Sequence, residues 1–239
     1  MGRKFELRKE VELAATPQQV WDAIATGPGM EAWFMAQPAP DAGACEVWQP
    51  PAHLSITTPA GPDGSFHAFE YLIEAKDGGS TVLRFVHSGF LGDDWGAEYE
   101  GMTSRGWDMY LHTLAEYFRH FAGRPAVYLT AEGPEASAKP EAWPVLLRGL
   151  GLERDPALGE RVRLTPAGLP PIEGVVDWVE EPGGDFLAVR AEDGLYRFHG
   201  RAALGMAIAV GHHVYTPVDR AAADEAWARW LHGLYPAQG

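Results

Sequence analysis

The stretch GWDMYLHTLAEYF, residues 106–118, limits the possible folds more than any other part of the chain, because it returns half a chain later. Trp107, Tyr110, Leu111, Leu114, Phe118 and Phe121 recur at steps of three and four, the spacing that gathers residues on one face of a helix. Tyr99 and Met102 extend the stripe upstream, which predicts a helix from about residue 97 to 121, stopped by Gly123. Near the C-terminus, Trp227, Trp230, Leu231, His232 and Leu234 spell W-x-x-W-L-H-x-L, where the first helix spells W-x-x-Y-L-H-x-L, at an offset of 120 residues. A second pair agrees: Ala142 and Trp143 stand against Val20 and Trp21, with 122 residues between the tryptophans. The spacings predict one unit duplicated in tandem, with domains at 1–123 and 124–239. The competing reading is a coincidence of two aromatic helices.

A chain of 239 residues can form one large or two small domains, and the repeat decides for two. With 46% hydrophobic and 22% charged residues the composition is that of an ordinary globular protein. The single cysteine, Cys45, has no internal disulfide partner, so nothing asks for an oxidising compartment. The opening MGRKFELRKE is too charged for a signal peptide, and Glu6 stands where a myristoylation motif wants Ser or Thr. The longest apolar run, near 202–210, is about half of what a membrane span needs. The expectation is a soluble, cytoplasmic protein. A net charge of −14 repels phosphate backbones and anionic headgroups, which disfavours nucleic acid and membranes as partners.

In the first half, Phe5 and Leu7, then Val11 and Leu13, read as a strand with a bulge across residues 8–10. Thr16-Pro17-Gln18-Gln19 carries a capping box and a proline suited to a first helical turn, ahead of a helix that buries Val20, Trp21 and Ile24. Gly27-Pro28-Gly29 breaks it, and a short helix containing Trp33 and Phe34 is expected to follow. Cys45 and Val47, then Leu54 and Ile56, alternate as strands on either side of Pro50-Pro51. His67, Phe69, Tyr71 and Ile73 form one strand face. Leu83, Phe85 and His87 continue it on the returning strand after the Asp77-Gly78-Gly79 turn.

These elements also carry a family likeness. TPQQVWDAIATGPGMEAWF, the Pro-Pro strand break, DGGSTVLRFVHSGF and the GW-led helix, in that order, resemble the START-like (SRPBCC) superfamily over about residues 5–123. Within it the likeness is to the family of the C-terminal domain of the activator of the 90-kDa heat-shock protein ATPase. The resemblance implies an α+β helix-grip fold: a curved antiparallel sheet wrapped round a long C-terminal helix, with a cavity between them. The pattern of strand, two helices, strands and long helix agrees independently.

The second half matches less closely and reads as a shortened, diverged copy. Strands are expected at 126–130, 161–165, 174–179, 186–190, 195–200 and 206–216, with Asp219 capping the final helix. Pro144, next to Trp143, is awkward inside a helix and predicts a truncated or kinked one. The second cavity is therefore expected to be small or filled, with Trp230 adding bulk where the first half has Tyr110.

The ligand-binding candidates lie in the first half: His67, Phe69, Tyr71, Phe85 and His87 on strands, and Met102, Trp107, Tyr110, Leu111 and Leu114 on the helix. Trp33, Trp48 and Trp95 fall near element ends, where the cavity mouth is expected. A few polar groups on an apolar wall are what a small-molecule pocket uses to orient its ligand; the plainer reading is a core whose polar atoms satisfy one another. His212-His213 looks like a metal pair, but neighbours on a strand point to opposite faces. Asp93-Asp94 and Glu98 fit helix capping, and Glu180-Glu181 a solvated turn. Cys45 reads as a small buried hydrophobe. There is no phosphate loop, G-x-S-x-G elbow or H-E-x-x-H helix, and no catalytic residue, metal or cofactor is expected. The favoured function is a module binding a small hydrophobic or amphipathic molecule. The superfamily likeness implies two alternatives: a cyclase/aromatase-like enzyme using the same cavity, or a chaperone-ATPase-activator-like module with a protein partner.

Overall fold

The computed structural model describes residues 2–91, 99–179 and 185–236. The chain divides into two compact units, Met1–Arg124 and Pro125–Gly239.

The first unit runs β1 (Arg3–Leu13), α1 (Pro17–Ala25), α2 (Gly27–Glu31), β2 (Val47–Gln49), β3 (His53–Thr57), β4 (Phe66–Lys76), β5 (Ser80–Leu91) and α3 (Tyr99–His120). Its antiparallel sheet has the order β1-β5-β4-β3-β2, so the first strand closes onto the last. Asp77-Gly78-Gly79, with the two glycines at φ +84° and +83°, makes the three-residue turn that sets the β4–β5 register. Phe69 then stands opposite His87, Tyr71 opposite Phe85 and Ile73 opposite Leu83, giving the single inner face that the alternation predicts. Helix α3 lies on that face, burying Trp107, Leu111, Leu114, Phe118 and, just past its end, Phe121. Gly123, at φ +77°, terminates it.

Four local expectations are corrected. The β1–β5 register runs unbroken from Arg3↔Leu91 to Leu13↔Thr81, so β1 has no bulge. What interrupts the apolar pattern is an inward lysine: Lys9 Nζ donates to Ser104 Oγ and Asp108 Oδ2 on α3, both at 2.7 Å. Gly27-Pro28-Gly29 ends one helix and begins the next. Thr26 Oγ1 caps α2 by accepting from Gly29 N at 3.0 Å, and Pro28 occupies the first turn. A Cβ on Gly29 would fall 2.0 Å from the Asp22 carbonyl oxygen, so only glycine allows this approach. Trp33 and Phe34 follow α2 instead of lying within it. Cys45 sits in a turn before β2, partly buried, with its thiol donating to the Asp41 carbonyl at 3.2 Å. The capping box of α1 forms as read, Thr16 Oγ1 accepting from Gln19 N and Thr16 N donating to Gln19 Oε1.

The second unit repeats the plan: β6 (Val127–Glu132), α4 (Ala142–Gly149), β7 (Arg161–Leu164), β8 (Ile172–Val179), β9 (Phe186–Ala191), β10 (Gly194–His199), β11 (Ala209–Val214) and α5 (Arg220–Leu234). Its antiparallel order, β6-β11-β10-β9-β8-β7, again sets the last strand beside the first. The fold is α+β, a helix-grip duplicated in tandem. Among the described residues the second copy is not shortened in strands, having six to the first copy's five. Pro144 does not kink α4. It stands in the first turn, where no intrahelical bond needs its missing N–H. Trp143 is buried with its indole N–H on Asp155 Oδ1 at 2.9 Å. Asp219 Oδ1 caps α5 by accepting from Ala222 N at 3.1 Å.

Candidate functional site

The inner face of the first sheet brings His67, Phe69 and Tyr71 of β4 beside Phe85 and His87 of β5, under Trp107 and Tyr110 of α3. The Trp107 ring lies 4.1 Å from Phe85 and 6.0 Å from Phe69, centroid to centroid. Phe69 stacks on His87 at 4.5 Å, and Phe5 of β1 meets His87 edge-on at 4.9 Å. A hydrogen-bonded chain threads these rings. Trp107 Nε1 donates to His87 Nδ1 at 3.0 Å, and His87 Nε2 is 3.1 Å from His67 Nδ1.

The direction of that chain follows from its first member. An indole N–H only donates, so His87 Nδ1 carries no proton and the neutral ring holds its proton on Nε2. His87 therefore donates to His67 Nδ1, which places the proton of a neutral His67 on its own Nε2. Burial pushes the His87 pKa down to about 4, and a charge on His67 would push it the same way. Burial also lowers His67. Desolvation raises the Tyr71 hydroxyl above its ordinary value, so it stays protonated. Both ring nitrogens of His87 are satisfied within the protein, so this residue needs no ligand to justify its burial.

Burial is uneven over the face. Tyr71, Phe85, His87, Trp107, Leu111 and Leu114 are buried, whereas His67, Phe69, Met102 and Tyr110 are only partly so. Phe34, not singled out from sequence, stacks on Trp107 at 5.6 Å and meets Tyr110 at 4.4 Å. Its signal in the sequence is weak, the second of two adjacent aromatics at a short helix. Trp33, expected near a cavity mouth, is completely buried with its indole N–H on the Ala23 carbonyl at 3.0 Å, and is a core residue. Trp48 is partly buried on the edge strand β2, against Trp21 at 5.0 Å. Trp95, Asp93-Asp94, Glu98 and Glu180-Glu181 lie outside the described residues.

In the second unit the two adjacent histidines part across the sheet. His212 meets Trp227 at 4.5 Å and Phe198 at 5.1 Å, while His213 meets Tyr128 at 5.1 Å. No group of three or more His, Cys, Asp or Glu among the described residues is placed to hold a metal ion. No helix among them is long and apolar enough to cross a membrane. Arg197 and Asp177, both buried, form a two-pronged ion pair at 3.1 and 2.8 Å, with Asp177 at an irregularity in the β8–β9 register.

No family model matches the chain, and none of the curated proteins does. Among solved structures it is similar to the AHSA1-like protein from Rhizobium etli, at 24% identity over 52% of this chain and 86% of that one, TM-score 0.37. A protein from Mesorhizobium loti aligns at 19% identity over 49% of this chain and 98% of its own, TM-score 0.42. The di-domain ARO/CYC BexL aligns over 98% of this chain and 100% of its own, at 12% identity and TM-score 0.41. An AHSA1-like protein thus stands among the solved structures to which the chain is similar.

Proposed function

We propose that the first unit binds a small apolar or amphipathic molecule where the inner face of its grip is only partly buried. One observation supports this: an aromatic inner face whose outer members, Phe69, Met102 and Tyr110, stay partly exposed beside the imidazole of His67. Apolar walls with a few fixed polar groups suit such a ligand. His67 is the polar contact there, and His87 acts through it by fixing its tautomer. Trp107 in turn fixes His87.

The test is titration of the full chain with a neutral fluorescent probe such as N-phenyl-1-naphthylamine. Phe69→Ala and His67→Phe are expected to weaken binding by roughly tenfold each, the scale of one well-placed contact. No binding by the wild type, or unchanged binding in both variants, removes the proposal. A second reading is a cyclase/aromatase-like enzyme, which the paired imidazoles favour because a linked pair can give or take a proton beside a bound molecule. The ARO/CYC name borne by one structural neighbour suggests the reaction class to assay. Turnover of a polyketide-like substrate, lost in His67→Phe, would decide for it.

A further inference from the structure

The second unit carries an open cleft of about 420 Å³ between α4, the turn at 167–168 and α5. Much of its lining is nearly bare of side chains, being Gly149, Ala167, Gly168, Ala226 and Gly233. Trp230 and Leu234 form an apolar wall, and Arg229 is the charged residue among those lining it. Arg229 pairs with Glu225 one turn earlier, but the two side chains are 64% and 71% exposed. An exposed pair at this spacing contributes little and exchanges readily for another carboxylate.

We propose that this cleft binds a small aromatic carboxylate, the flat ring system lying on the bare lining against Trp230 and Leu234 and the carboxylate on Arg229. The volume is within the range of small-molecule sites. A guanidinium matches a carboxylate with two parallel hydrogen bonds. The net charge of −14 opposes an anion over most of the surface, so binding here depends on the local cation Arg229. Gly149 and Gly233 are not equivalent. A Cβ on Gly149 would fall 2.7 Å from Leu234, so that glycine sets the approach of α4 to α5. A Cβ on Gly233 would meet nothing within 4 Å. Position 233 therefore has room for a Cβ, and Gly233→Leu puts a bulky side chain on the cleft while improving helix propensity.

The experiment titrates 2-naphthoate and the neutral 2-naphthamide into the full chain, by calorimetry and by NMR of the indole N–H signals. The wild type is expected to bind naphthoate and shift the Trp230 signal. Arg229→Gln weakens naphthoate by about tenfold, one charge-assisted contact, and leaves the amide unaffected. Glu225→Gln tightens it, and Gly233→Leu abolishes binding. Failure of the wild type to bind naphthoate overturns the proposal. So does undiminished binding in Gly233→Leu, and so does binding lost only in Phe69→Ala, which would place the molecule in the first unit.

Discussion

His87 and His212 hold the same place in their two units. Each lies on the last strand directly opposite a leucine of the first, Leu7 and Leu129 respectively. Each meets the tryptophan that opens the repeated helix pattern, Trp107 at 5.9 Å and Trp227 at 4.5 Å between ring centroids. The bonding differs. His87 Nδ1 accepts from Trp107, whereas His212 Nδ1 accepts from the backbone N–H of Arg197 at 3.1 Å. His212 Nε2, sealed from solvent, has no hydrogen-bond partner among the described residues, and the imidazole packs edge-to-face with Trp227. One position was inherited twice, and only the first copy ties it into a chain of imidazoles.

Trp107→Phe is expected to cost about 1–3 kcal/mol, since it leaves a buried acceptor on His87 without its donor. The same change raises the His87 pKa from about 4, because the bare nitrogen no longer faces an N–H and accepts a proton more easily. NMR titration of the imidazole checks the direction. A midpoint that stays put or falls contradicts the hydrogen-bond assignment.

Acid should weaken the fold before the carboxylates titrate. His67, His87, His199 and His212 all have pKa values lowered by burial in the folded chain, His87 to about 4 and His199 to about 3. The unfolded side chains take up protons near pH 6.5 and the folded ones do not, so stability is full above that pH and declines below it. For His87 the decline ends near pH 4 and amounts to roughly 2 kcal/mol between pH 6.5 and 5. Urea midpoints at several pH values measure it, and His87→Gln should make the slope shallower.

Lys9→Met is expected to be tolerated better than Lys9→Ala. The lysine stem fills an inward position under α3, and a methionine keeps that packing while losing only the bonds to Ser104 and Asp108. The ion pair itself is worth about 1 kcal/mol or less, given the exposure of Asp108. Thermal melts of the two variants test the order. Equal losses would mean that charge, not packing, decides at this site.

Arg197→Ala should destabilise the second unit by about 3–5 kcal/mol, because it strands the buried Asp177 carboxylate. The double change Arg197→Met with Asp177→Leu should cost less than Arg197→Ala alone. A double variant worse than the single one would show that the pair stabilises beyond the cost of burying it.

Period and register were readable from sequence wherever one face repeated. The α3 stripe and the β4–β5 face follow from spacing and from Gly78-Gly79, so most of the first grip could be drawn before any coordinates. What escaped depends on partners far along the chain. Lys9 read as a break in alternation because Asp108, which holds it inward, lies 99 residues away. Gly27-Pro28-Gly29 read only as a breaker because its role as a helix start needs the close approach to Asp22. Spacing alone marks His67, His87 and Trp107 as pocket residues. Their linkage, and hence the self-sufficiency of His87, required the register across β4 and β5 together with the depth of α3.

The closure of each sheet by its first and last strands bears on how the protein is made. Leu7 must wait for His87, 80 residues later, before β1 has a partner, and Leu129 waits similarly for His212. At ribosomal speeds of about 5–20 residues per second that is a delay of roughly 4–16 s for β1. During it an amphipathic strand with bare backbone edges leaves the ribosome unpaired. Charges on every even position of β1 from Lys4 to Glu12, with Lys9 on the other face, keep that strand soluble while its partner is synthesised.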